Sequence, residues 1–162
     1  MALFGTSAGG GLTMSTVLKL KELNLPLPGA LFIGTPASDI TNSSDSLHAN
    51  EYIDNQLLTA HGLIDAALHL YAGDHDLAEP LLSPIYGDLH GFPPSILLSG
   101  TRDLLLSNTV RAHRRLRQAS VEAELNVFEA QSHAQYITSY PSPETDEAMD
   151  EIAMFFDKHL AK

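Results

Sequence analysis

The chain has 162 residues, 44% of them hydrophobic and 18% charged, which fits a single globular domain able to bury a sizeable core. Its formal net charge is −11 and it has no cysteine, which excludes disulfides, thiolate metal sites and a cysteine nucleophile and argues against a nucleic-acid binder, because phosphate binding rests on Lys and Arg. No apolar run approaches a membrane span and no basic segment leads into an apolar one at the start, so a cytoplasmic location is expected.

Ala2-Leu3-Phe4 reads as the end of a strand, and the apolar spacing of Leu12, Val17, Leu18 and Leu20 predicts a helix from Ala8 to about Glu22, stopped by Asn24 and Pro26. Glycines at 9 to 11 lower helix propensity and are expected where another group must approach that backbone closely. The run from Gly29 to Gly34 predicts a buried strand, and the Ser/Thr/Asn/Asp-rich stretch 35–50 predicts a loop. Residues 51–72 carry apolar residues at helical spacing and predict two helices divided at Gly62; a turn-rich stretch 73–94 follows. Next come a strand at 95–99, its exit loop at 100–107, a basic helix at 107–119 and a strand at 123–128. The arginines 111, 114, 115 and 117 are expected on the exposed face of that helix. Ser142-Pro143-Glu144 predicts the start of a last helix, with Ser as the cap and Pro in its first turn. Its apolar face is expected to carry Met149, Ile152, Ala153, Phe156 and Leu160. Strands alternating with helices predict an α/β fold, a parallel sheet of about four strands flanked by helices on both faces.

Gly5-Thr6-Ser7-Ala8-Gly9 is a G-x-S-x-G string between a strand and a helix. In that setting the serine sits on a sharp turn with its hydroxyl exposed, and small residues at positions 5 and 9 are expected because larger ones would collide. A serine hydroxyl is a weak nucleophile; it needs a base, and the base needs an orienting acid. Asp103 lies just past the strand at 95–99 and His133 just past the strand at 123–128, in the order Ser, acid, His that accompanies a G-x-S-x-G turn of this kind. Asp39, which also follows a strand, is the alternative acid. His69, Asp74, His75 and Asp76 gather around a turn, where a solvated acidic turn competes with a metal site. His48, His61, His90, His113 and His159 lie in no motif. Leu104 and Leu105, beside Asp103, fit an acyl pocket and plain packing equally.

GTSAGGG, SPIYGDLHGFPPSILLSGTRDLLLS and SHAQY, with Tyr71-Ala72 and Asp39 between them, resemble the hormone-sensitive-lipase-like branch of the α/β-hydrolases over nearly the whole chain. The resemblance implies that Ser7 is the nucleophile, His133 the general base and then acid, Asp103 its partner, and the Ala8 N–H an oxyanion donor. It implies hydrolysis of short-chain carboxylic esters through an acyl-enzyme, with no cofactor and no metal. Members of that family are about twice this long, so residues 1–162 correspond to the C-terminal catalytic portion of the domain, with the N-terminal half of the sheet absent. No HGGG string, the family's source of further oxyanion donors, occurs in these residues. Three expectations follow: weak activity of the chain alone, an exposed strand edge at Phe4, and a homo-oligomer or a complementary N-terminal fragment as partner. The alternative is a non-catalytic hydrolase remnant that persists as an assembly or binding module.

Overall fold

The computed structural model describes residues 1–160. Four strands, β1 (Ala2–Thr6), β2 (Ala30–Gly34), β3 (Ser95–Gly100) and β4 (Ala123–Phe128), form one parallel sheet in the order β1-β2-β3-β4. Each strand therefore pairs with its neighbour in the chain, in registers that run from Ala2 opposite Ala30 to Thr6 opposite Gly34 and from Ser95 opposite Ala123 to Gly100 opposite Phe128. The helices α1 (Ala8–Glu22), α4 (Leu106–Gln118) and α6 (Pro143–Leu160) lie within two residues of the sequence expectation, as do all four strands. Among the described residues no helix is long and apolar enough to cross a membrane.

Strand alternation divides the core in two. Leu31, Ile33 and Leu97 face Met14 and Val17 of α1 and Leu116 of α4, whereas Phe32, Ile96 and Leu98 face Ala148, Ile152 and Phe155 of α6. β2 and β3 are buried along their whole length, and each fully buried Leu or Ile side chain there contributes about 1.5–3 kcal/mol.

The glycines of α1 seat it against the strand exits. A Cβ on Gly10 would lie 2.7 Å from the Gly34 carbonyl oxygen, and one on Gly11 would lie 2.4 Å from that of Ala37. A Cβ on Gly5 would lie 2.2 Å from the Gly9 carbonyl oxygen, so the need for a small residue at position 5 holds. Position 9 corrects the expectation: nothing lies within 4 Å of a Cβ built there, among the described residues.

Residues 51–62 also depart from the sequence reading. They form turns, and the only helix between 51 and 72 is α3 (Leu63–Ala72), which starts after Gly62 at φ +78°. Helix formation fails because the Asp54 carboxylate accepts the N–H groups of Gln56 (2.8 Å) and Leu57 (3.2 Å), a local turn that competes with helical bonding. Tyr52 and Leu58 are left-handed, at φ +62° and +65°. A short helix, α2 (Ser46–Ala49), occupies part of the stretch expected to be loop.

Ser142 caps α6 as expected, its Oγ accepting the Thr145 N–H at 3.2 Å. The buried stripe of α6, however, is Thr145, Ala148, Ile152 and Phe155. Of the expected apolar face only Ile152 is buried; Met149 and Ala153 are exposed, and Phe156 and Leu160 are half-buried. Met149 and Phe156 instead border an apolar groove that continues onto Phe4 at the open edge of β1. Phe4 is 72% exposed, as the edge expectation requires.

Candidate active site

Every side chain of the candidate site leaves the sheet at the C-terminal end of a strand, where the loops of parallel sheets gather ligands and catalytic groups. Ser7 directly follows β1 and adopts φ +61°, ψ −124°, a conformation that costs an L-residue roughly 1–3 kcal/mol. Three backbone hydrogen bonds hold it. Its N–H donates to the Gly34 carbonyl (2.9 Å), and its own carbonyl accepts from Gly11 (3.1 Å) and Ala37 (3.0 Å). The turn aims Oγ away from the sheet, 2.8 Å from Nε2 of His133.

His133, in the loop after β4, is 5% exposed. Its Nδ1 lies 3.0 Å from Oδ1 of Asp103. Asp103 is fully buried after β3 and accepts three further hydrogen bonds: from the Leu105 N–H (2.7 Å), the Ser99 hydroxyl (2.9 Å) and the Thr35 hydroxyl. Four donors surround one carboxylate, so neither oxygen is free to turn from the imidazole. The structure thus brings Ser7, His133 and Asp103 into one hydrogen-bonded chain, with Nε2 facing Oγ and Nδ1 facing the acid.

Thr35 was not singled out in the sequence. It directly follows β2 at φ +33°, and its Oγ1 also lies 3.1 Å from Nδ1 of His133. Its signal is positional only, as the first residue past a buried parallel strand. Tyr136, fully buried in α5 (Gln135–Thr138), packs beneath the site with its hydroxyl 3.3 Å from Oγ1 of Thr6. Burial pushes this phenol far above its usual range, so it is present as a neutral hydroxyl.

Asp39 does not serve the histidine. Its buried carboxylate pairs with Arg111 (2.7 Å) and accepts from the hydroxyls of Thr41 (2.6 Å), Ser43 (2.8 Å) and Tyr86 (3.1 Å). Arg111 is thereby committed to an internal ion pair and is half-buried, a correction to its expected place on the exposed face; Arg114, Arg115 and Arg117 are exposed. Burial alone would raise the Asp39 pKa, but hydrogen bonds from Thr41, Ser43 and Arg111 outweigh it and hold the group below its ordinary value of 3.8. A carboxylate depressed in the folded state adds stability that is complete above its unfolded pKa and disappears as pH falls through its folded pKa. Asp39→Asn is therefore expected to destabilise the fold at neutral pH by about 1–3 kcal/mol. The penalty should shrink once the pH is taken below 3.8. Urea unfolding of both proteins at the two pH values measures this; an equal penalty at both would contradict it.

The histidines considered for a metal are exposed and contact carboxylates of their own segments: His69 lies 3.4 Å from Asp65 and His75 3.1 Å from Glu79. Asp54, Asp103 and His133 do bring ligand-type atoms within 4.8 Å of one another. The Asp54 oxygens face backbone N–H groups, however, and His133 and Asp103 face each other, so the donors are already engaged.

Ala8 is exposed at the first turn of α1, where helical N–H groups have no carbonyl partner within the helix. Beside Ser7 and Ala8 opens a cavity of about 220 Å³. Leu104 and Leu105 line it together with Leu57, Ile64 and Leu68. Leu104 is fully buried as well, so packing and pocket lining coincide in this residue.

Residues 1–137 match the family described as alpha/beta hydrolase fold. The chain is 28% identical over 151 residues to an esterase of Acinetobacter venetianus, covering 93% of this chain and 50% of that protein. It is 32% identical over 123 residues to an acetyl-hydrolase of Streptomyces hygroscopicus, covering 76% of this chain and 39% of that one. Among solved structures, esterase E25 superposes with a TM-score of 0.95 at 50% identity, over 98% of this chain and 48% of that one. An esterase of the bacterial hormone-sensitive lipase family superposes with a TM-score of 0.91 at 30% identity, over 98% and 52%. The chain spans between 39% and 52% of the length of these relatives.

Proposed function

We propose that this chain, which belongs to the alpha/beta hydrolase fold family, is the C-terminal catalytic portion of a serine carboxylesterase acting on short-chain esters. The observation that carries the reading is the continuous chain from Ser7 Oγ through both nitrogens of His133 to Asp103, with heavy-atom distances of 2.8 and 3.0 Å. In the proposed reaction His133 Nε2 takes the Ser7 proton as Oγ attacks the ester carbonyl. Asp103 stabilises the imidazolium and holds the tautomer that leaves Nε2 free to accept. The carbonyl oxygen becomes an oxyanion, and the Ala8 N–H at the start of α1 donates to it. The intermediate collapses as His133 returns the proton to the departing alcohol. Water, deprotonated by the same imidazole, then attacks the acyl-enzyme, and Ser7 recovers its proton as the acid leaves.

The cavity beside Ser7, about 220 Å³ and lined by Leu57, Ile64, Leu68, Leu104 and Leu105, supports an apolar acyl group of modest length. A fluorophosphonate probe tests the assignment: its phosphoryl group should be recovered on Ser7 by peptide mass mapping. Label on any other residue would reject Ser7 as the nucleophile.

A second reading, a folded hydrolase portion that does not turn over by itself, is favoured by the absence of an HGGG string from residues 1–162. Slow labelling of Ser7 without ester turnover is the signature that separates this reading from the first.

The proposal includes a partner. Among the described residues β1 ends the sheet with its outer edge unpaired, and the groove beyond it is apolar. Such an edge recruits another strand, and either a second copy or a polypeptide carrying the remaining strands would cover it. Sedimentation at micromolar concentration should show an assembly larger than 17.5 kDa. A compact, non-aggregating monomer would remove this part of the proposal.

A further inference from the structure

The turn segment that replaces the expected helix at 51–62 reaches both loops of the candidate triad. Asn50 Nδ2 donates to the carbonyl oxygens of Thr101 (3.2 Å) and Asp103 (2.8 Å). The Asn55 N–H donates to Oγ of Ser132, the residue before His133, at 3.1 Å. Between them stands Asp54, fully buried. Its Oδ2 accepts the N–H of Leu104, the residue after Asp103, at 2.9 Å. Its Oδ1 accepts the N–H of His133 itself, a longer bond at 3.4 Å, besides the N–H groups of Gln56 and Leu57. A single carboxylate thus joins the backbone of the acid loop to the backbone of the base loop, outside the Ser7–His133–Asp103 chain.

We propose that Asp54 is a positioning residue of the esterase site, its carboxylate clamping the Asp103 and His133 loops at the separation their hydrogen bond requires. The acid and the base come from β3 and β4, and each sits on an irregular loop several residues past its strand, so sheet register alone does not fix the last ångström between them. A displacement of about 1 Å in a catalytic group costs as much as 100-fold in rate. Asp54 is suited to the task because a carboxylate only accepts, and several N–H groups converge on it. Asparagine in its place offers one accepting oxygen and turns an NH2 group toward the donors of one loop or the other, so one of the two anchors is released.

The inference rests on the esterase reading for its rate measurement and on the structure alone for its second readout. Asp54→Asn is expected to slow fluorophosphonate labelling of Ser7 by roughly 10- to 100-fold in protein that still unfolds cooperatively. The far-downfield proton resonance of His133 Nδ1–H, assigned by its loss in His133→Gln, should shift or broaden away. A variant whose thermal midpoint falls while the labelling rate stays within about twofold of wild type, a difference below 0.5 kcal/mol, and whose resonance is unmoved, would overturn the proposal and leave Asp54 a purely structural turn residue. If Asp54→Asn does not fold, Asp54→Glu carries the test. It keeps the charge and both acceptors but displaces them by a methylene, and a rate and resonance equal to wild type would overturn the proposal. A wild-type chain that takes no label on Ser7 would sink the esterase reading, while the resonance would still decide the role of Asp54.

Discussion

Ser7→Ala is expected to abolish both p-nitrophenyl acetate turnover and covalent labelling by a fluorophosphonate. Removing the nucleophile of a complete serine hydrolase costs about a million-fold in kcat. Under the proposed reading the window is narrower, because losing one oxyanion donor lowers a rate by about 100- to 1000-fold and the proposed donor within this chain is the Ala8 N–H. Labelling is the sharper readout, since it reports transfer of a phosphoryl group onto Oγ itself and needs no deacylation. Alanine keeps the Cβ and loses only the hydroxyl, so the turn and its three backbone hydrogen bonds should survive. Equal labelling of wild type and variant would mean that another residue reacts.

Asp103→Asn should produce the second largest loss, about 10⁴ in kcat with the fold retained. The amide presents an N–H2 where Nδ1–H of His133 now meets an accepting oxygen, which favours the tautomer with the proton on Nε2 and so removes the base from Ser7. The oxygen that asparagine keeps still accepts from the hydroxyls of Ser99 and Thr35, while the Leu105 N–H loses its acceptor, so the substitution switches the tautomer at the cost of one backbone hydrogen bond. A pair of variants separates the two buried acids. Asp103→Asn should lose labelling, and Asp39→Asn should lose stability with labelling kept. The reverse pattern would reassign the acid.

The site was legible in the sequence because its chemistry is tied to strand exits. Ser7 and Asp103 each follow a short apolar run with glycine at its exit, His133 follows the alternating strand 123–128, and the order of the three is the one that accompanies a G-x-S-x-G turn. Thr35 and Asp54 were not legible. Thr35 reaches His133 and Asp103 through a left-handed backbone and a hydroxyl, neither of which leaves a pattern in neighbouring residues. Asp54 lies among Ile53, Leu57 and Leu58, whose spacing mimics a helix; the competing force is the aspartate's own hydrogen bonding to Gln56 and Leu57, a local contest that apolar spacing does not register. The face of α6 was misread for a different reason. Periodicity identifies an apolar stripe but not which of two adjacent stripes the sheet covers, and here Met149 and Phe156 lie over the margin next to β1, while Ala148, Ile152 and Phe155 lie over β2 and β3.

Ser7, Thr35, Asp103 and His133 follow one each of the four strands, in strand order. A slip of one residue in any strand pair would turn every side chain of that strand to the opposite layer and carry one member of the set out of reach. Under the proposed reading, reactivity at Ser7 is therefore a gauge of the alignment of the whole sheet, and the fraction of chains that take the probe would count the molecules whose four strands have all locked in step. During refolding, the appearance of label would mark the completion of the sheet, later than any signal that reports helix content alone.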